Sequence, residues 1–381
     1  MTNRVHVMTF AAVLVLAALA PAQTFSVLYR FTGGLDGGSP FAGVIQDPSS
    51  NLYGTTSSGG DYGGGVVYKV DTAGRETVLH SLGTGTDGAY PLTPVAREKA
   101  GNIYGSAYFG GSSGYGTIFK IDTAGNETTL YSFTGGSDGC YPEQGLVGSN
   151  SGTLYGTTGY CGSAGYGTVF KIDSTGKFTL LYSFAGYPSG GANPRYGHLA
   201  MDNLGNLYGV TEQGGDYGYG VLYKLSKDGK FTVLHSFAGG TSDGCTPYGS
   251  LLLDKAGNLY GTTWACGSNN YGTIWKASKK GKETILHNLA GGKSDGCDPA
   301  AGVARDPKGN LYGVAYMCGA NNYGALYKLS ASGKLTLLHS FDSSAGAGPT
   351  GEVLRTANGT LFGTASGGGT NNFGTVWSYV P

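Results

Sequence analysis

The stretch Gly257-Asn258-Leu259-Tyr260-Gly261-Thr262-Thr263 reads as a turn running into a short β-prone segment, and it is one of a series. Its centre returns as Leu52-Tyr53-Gly54, Ile103-Tyr104-Gly105, Leu154-Tyr155-Gly156, Leu207-Tyr208-Gly209, Leu311-Tyr312-Gly313 and Leu361-Phe362-Gly363. Successive copies lie 51, 51, 53, 52, 52 and 50 residues apart. A period of this length marks a repeat architecture in which each copy is one supersecondary unit. Every unit holds four runs rich in Val, Ile, Leu, Tyr, Phe and Thr, the composition of half-buried strands. In the fifth unit these are residues 250–253, 259–263, 272–276 and a run from 283 to near 289; in the third the last two are 167–172 and 178–184. Two connections are tight and polar, such as Asp254-Lys255-Ala256-Gly257-Asn258 and Ser226-Lys227-Asp228-Gly229-Lys230, with a Gly to supply the positive φ of a hairpin turn. The other two, for example residues 238–246 and 263–271, are long and Gly-rich. Four antiparallel strands per unit and seven units predict an all-β fold, a seven-bladed β-propeller.

The two ends of the chain bear on closure. The last unit runs out at residues 374–380 after three strands, while Phe25-Ser26-Val27-Leu28-Tyr29-Arg30-Phe31 matches the fourth strand seen at 232–237. The N-terminal strand is therefore expected to complete the last blade and close the ring, whereas an open solenoid would need polar caps instead. Residues 23–381 are expected to form this single propeller domain. Residues 1–22 read as a signal peptide: Arg4, an apolar run over 8–20, and Ala20-Pro21-Ala22 as a cleavage site before Gln23. That run is too short to span a bilayer core of about 30 Å. With no anchoring tail at Val380-Pro381, the mature chain is expected to be secreted or periplasmic, monomeric and without a membrane span.

Composition narrows the classes further. Of 381 residues 72 are Gly, which disfavours helices, and no Gly-X-Y period points to collagen. With 40% hydrophobic residues the chain is no disordered tail. The 24 basic and 24 acidic residues cancel, so no nucleic-acid partner is expected. The six cysteines fall into three pairs of equal spacing, Cys140 with Cys161, Cys245 with Cys266 and Cys297 with Cys318; the other four units carry neither member. Joint presence and joint absence imply contact, hence three disulfides, each stabilising by about 3 kcal/mol in the chain-entropy model. Two Cys without a nearby His or second pair do not make a zinc site. The bridges put the long loops on one face, the expected ligand face, and leave the tight turns on the other.

These units, with Tyr271-Gly272-Thr273-Ile274-Trp275-Lys276 and Thr232-Val233-Leu234-His235-Ser236-Phe237 beside the heptapeptide, resemble the Gloeo/Verruco ("GloVer") tandem repeat over nearly all of residues 24–381. The resemblance implies an exported bacterial protein, often one with a choice of anchor domain, and brings no catalytic residues with it.

Candidate site residues are weighed by whether they repeat. His80, His235, His287 and His339 share a strand-four position with Tyr29, Tyr131 and Tyr182, which marks a packing site with a polar tip. Tyr68, Phe119, Phe170, Tyr223, Trp275, Tyr327 and Trp377 share a strand-three position and read as core. Asp36, Asp87, Asp138, Asp243 and Asp295 precede Gly and read as turn residues rather than calcium ligands. Function is expected where the repeat breaks: Glu143, Arg195, His198, Glu212, Gln213, Tyr248, Trp264, Asp298 and Glu352. His198 with Arg195 and Glu352 is a candidate acid/base constellation. No residue is assigned a catalytic role, and no cofactor or metal is implied. The expected function is a non-catalytic extracellular binding module that takes a glycan or protein ligand on the long-loop face; the alternatives are a lyase- or lactonase-type propeller enzyme at the central opening and a passive scaffold.

Overall fold

A computed structural model describes residues 23–381 apart from 84, 149–151 and 189; the expected signal peptide lies outside the described residues. Seven four-stranded antiparallel sheets follow one another as the blades of a seven-bladed propeller. In blade one the strands run outward from the central channel as Ile45–Gln46, Leu52–Thr56, Val66–Val70 and Glu76–Ser81. The innermost strands have only two residues, except in blade five. There Gly244–Leu253 and Leu259–Cys266 extend past the predicted limits into the long loops and through the disulfide. Short ladders occupy the same place in blade four (Gly191–Ala192 with Gln213–Gly214) and blade six (Gly296–Cys297 with Met317–Cys318).

The ring closes as the chain ends predict. Thr24–Arg30 pairs antiparallel with Thr375–Val380, in register from Thr24↔Val380 to Arg30↔Thr375, and becomes the outer strand of blade seven. Each outermost strand also carries a β-bulge that the sequence reading did not foresee. One residue is left without a partner, and it is Leu in every blade: Leu28, Leu79, Leu130, Leu181, Leu234, Leu286 and Leu338. Bulges bend and twist an edge strand, which blunts it against pairing with other chains.

The Leu-Tyr-Gly signature has a physical cause at each of its last two positions. The strand-three aromatic lies flat across the Gly of strand two, so that a Cβ on Gly261 would come within 2.5 Å of Trp275 Cζ2, and one on Gly54 within 2.5 Å of Tyr68 Oη. Only a residue without a side chain admits these fully buried rings. The motif Tyr ties the strand to the preceding turn: Tyr260 Oη donates to Asp254 (3.1 Å) and Tyr53 Oη to Asp47 (3.0 Å). The core is divided among the seven blade-to-blade contacts rather than gathered in one centre. Tyr53, Val67 and Leu82 of blade one, for example, pack on Ile103, Phe119 and Ile121 of blade two.

All three expected disulfides are present, with Cα–Cα separations of 5.3, 5.4 and 5.5 Å. They indicate an oxidising, extracellular environment. No helix among the described residues is long and apolar enough to cross a membrane. Replacing Gly261 by Ala should destabilise the protein by about 1–3 kcal/mol through overpacking against Trp275, read as a lowered urea midpoint; an unchanged midpoint would show that the ring can move aside.

Candidate functional site

Blade four departs from the repeat by a single residue. Between the loop proline and the innermost strand it has one position more than its neighbours, Pro194 to Ala200 against Pro142 to Val147 and Pro247 to Leu252. The extra residue is Arg195. Its guanidinium is clasped by Glu143 of blade three (Nε–Oε2 2.6 Å, Nη2–Oε1 3.3 Å) and by Glu212 (Nη1–Oε2 3.1 Å), and it donates to Tyr196 Oη at 2.9 Å. Gly159 makes room for this pair, since a Cβ there would lie 2.5 Å from Glu143 Oε2. Glu143 is only 2% exposed. Burial pushes its carboxyl group up, and Arg195 partly reverses that.

Aromatic rings continue from Arg195 in both directions. The guanidinium carbon lies 4.9 Å from the Tyr196 ring centre and 5.2 Å from that of Tyr160. On one side Tyr196 stacks on Tyr248 (4.4 Å), which meets Trp264 (5.3 Å), which meets Tyr316 (5.7 Å). On the other Tyr160 meets Tyr141 (6.1 Å), which stacks on Tyr108 (4.8 Å). Seven half-buried rings thus form an arc over blades two to six with one cation at its middle. The structure brings Glu143, Arg195, Glu212, Tyr248 and Trp264 together. Asp298 lies apart from the ion-pair cluster, in the left-handed turn before Pro299 (φ 54°), where its backbone accepts from Tyr316 N. Tyr108, Tyr141, Tyr160, Tyr196 and Tyr316 escaped the sequence reading. The signal was there: Tyr108, Trp264 and Tyr316 share one repeat position with Ser57, Gly159, Glu212 and Ser366.

His198 and Glu352 meet elsewhere, across the neck of the channel. Here the backbones of neighbouring blades touch: Gly145 N donates to Gly197 O at 2.6 Å, and a Cβ on Gly43 would lie 2.6 Å from Glu352 O. His198 Nε2 lies 3.1 Å from Glu352 Oε2 and Nδ1 lies 3.1 Å from Leu199 O. Both partners only accept, so both ring nitrogens carry protons and the group is an imidazolium. Burial opposes that charge, but the Glu352 carboxylate and the hydrogen bonds prevail and lift the pKa to about 9. Enclosed by the ring of blades, the side chain still keeps 33% of its surface toward the channel. Arg195 is turned to its own carboxylates and takes no part in this pair.

The model of the Gloeobacter/Verrucomicrobia repeat matches residues 15–204 and 195–381. The chain belongs to that family. No curated protein matches it in sequence. Among solved structures it is similar to a protein named for the extracellular domain of a one component system from B. thetaiotaomicron (10% identity, 92% of this chain and 39% of that one, TM-score 0.59). It is also similar to one named as a 6-phosphogluconolactonase from Bacteroides uniformis (17%, 78% and 83%, TM-score 0.52) and to a gluconolactonase of Xanthomonas campestris (13%, 97% and 93%, TM-score 0.49). At such identities the likeness is one of fold.

Within this Gloeobacter/Verrucomicrobia repeat the His/Tyr position pairs with the recurring Asp in the five units that carry that Asp. Tyr29 and Tyr131 donate to Asp36 and Asp138 (3.0 Å each), and His80, His235 and His287 lie 3.3, 3.0 and 2.9 Å from Asp87, Asp243 and Asp295. A Tyr in the same seat can only donate to a carboxylate, so the His does the same work. At one of these seats Glu283 approaches as well, and ligating atoms of His235, Asp243 and Glu283 all lie within 4.8 Å, the group among the described residues with the means to hold a metal. Burial and then Asp243 push the Glu283 carboxyl up to about 7.

Two measurements probe these arrangements. Arg195→Ala should destabilise the protein by about 3–5 kcal/mol, because a buried carboxylate is left unpaired, while Arg195→Met combined with Glu143→Leu should recover most of that; equal melting of both variants would contradict it. His198 should titrate near pH 9 by NMR and well below that in Glu352→Gln, where the backbone hydrogen bonds alone oppose burial. Its raised pKa stabilises the fold fully below about 6.5, and that share fades as pH rises through about 9.

Proposed function

We propose that the long-loop face is a glycan-binding surface and that the protein is a non-catalytic extracellular binding module. The observation that carries this reading is the arc of seven half-buried rings centred on Arg195. Sugars present flat C–H faces that pack on aromatic rings and hydroxyls that pair with guanidinium and carboxylate groups, and the arc offers both. Tyr and Trp supply large contact areas with little conformational entropy to lose. Here the rings are held by mutual contact, stacked, tilted or edge-on, and part of the loop framework is tied by disulfides, so little ordering is left for the moment of binding. Arg195, held by two carboxylates, keeps its charge at any physiological pH.

The second reading, an enzyme of the central opening, is favoured by the His198–Glu352 pair. A doubly donating imidazolium is unfit as a general base near neutral pH, which ranks this reading below the first.

A glycan array with the mature chain tests the proposal. Binding to a defined glycan should weaken by about tenfold or more in Trp264→Ala, which removes the largest ring of the arc, and be retained in Trp264→Phe at unchanged melting temperature. Silence across the array, or equal binding by Trp264→Ala, would refute it.

A further inference from the structure

We infer that the cavity at the opposite, tight-turn end of the central channel binds an organic anion with an apolar body, of the class of a carboxylate on a hydrocarbon chain. This cavity has a volume of about 720 Å³, inside the span of roughly 300–1,000 Å³ typical of small-molecule sites. Its wall is apolar all round, with Leu146, Val147, Leu252 and Val303 on one side and Ile45, Val95 and Leu354 on the other. On the other side Arg355, Gln46 and Arg97 stand at one repeat position, the second residue of the innermost strand, in the consecutive blades seven, one and two. Blades three, four and five have Gly148, Met201 and Leu253 at that position, and Arg305 of blade six lies outside the cavity lining, so arginine faces the cavity from blades seven and two alone among the described residues.

The charge of this sector is only partly balanced from within the chain. Neither Arg97 nor Arg355 takes part in any of the salt bridges among the described residues. Nε of both is buried without an acceptor. Lys99 adds a third positive group at the rim. Of the carboxyl groups that face the cavity, Glu352 is taken by the His198 imidazolium, and Glu98, which accepts from the Asn102 amide, offsets one of the three positive charges and leaves the sector net positive. The Arg97 guanidinium is held over the Tyr53 ring at 5.6 Å, and Arg355 Nη1 donates to Thr356 O at 3.4 Å, so both are oriented in advance. A planar, preset guanidinium is suited to a carboxylate, which it meets through charge-assisted hydrogen bonds. The anionic head then lies toward blades seven to two and the apolar body along blades three to six, with the His198–Glu352 neck as floor. This site is independent of the proposed glycan surface, which lies beyond the neck on the other face.

Calorimetric titration of the mature protein with decanoate tests it, with 1-decanol as the uncharged counterpart. Decanoate should bind saturably, and the alcohol about tenfold more weakly or worse, a difference equal to the loss of one good charge-assisted contact. Arg97→Gln with Arg355→Gln should weaken decanoate by a similar factor, and Leu252→Trp, which fills the side across from the arginines, should abolish binding. Trp264→Ala on the far face should leave it untouched. If the double variant does not fold, the single replacements and the wild-type comparison of acid with alcohol decide. Absence of saturable decanoate binding, equal binding of the alcohol, or indifference to the arginine replacements would each overturn the inference.

Discussion

The ladder between Thr24–Arg30 and Thr375–Val380 turns a row of sheets into a ring, and every other feature presupposes it. Each blade is too thin to hold a core of its own; apolar side chains find cover only against the next blade. In an open row the first and last blades would each expose a face. Closure lets Phe31, Val44 and Tyr68 pack against Val376 much as any two neighbours pack. It also adds the same cross-links seen at the other junctions, such as Ser39 N to Phe373 O and Thr364 Oγ1 to Ala42 O. The seam is chemically like the six covalently continuous junctions.

A closed ring of near-identical units has a symmetric face, and a symmetric face has no preferred place for a ligand. The inserted Arg195 breaks that symmetry with one residue. Its charge needs carboxylates, which Glu143 and Glu212 supply from different parts of the chain, and its flat cation organises the tyrosines around it. At the other end of the channel the asymmetry is made without insertion, by Arg97 and Arg355 facing the cavity from a repeat position that holds Gly148, Met201 and Leu253 in blades three to five. Between the two lies the neck, where glycines let backbones touch and the His198–Glu352 pair spans from blade four to blade seven. The two ends of the channel therefore act as separate surfaces.

Much of this was legible in the residues themselves. Periodicity gives the number of blades, since each Leu-Tyr-Gly must sit under its own strand-three ring. The split final unit gives the closure, and the joint appearance of cysteines gives the pairing, because a lone thiol at either position would have no partner. Residues that break the repeat gave the candidates. The bulged leucines were hidden, since a bulge changes register without changing residue type. Tyr196 was hidden too, since a tyrosine among 28 does not stand out until its neighbours are known.

What local order along the chain determines, then, is the ring: its strands, turns, disulfides and seam, all set by interactions that recur at a constant spacing. Which singular residues meet is another matter. Arg195 with Glu143 and Glu212, His198 with Glu352, and Arg97 in the same sector as Arg355 are decided by where closure carries each blade. The distances involved depend on how blades twist and lean on one another, a collective result of packing that no single stretch of sequence encodes.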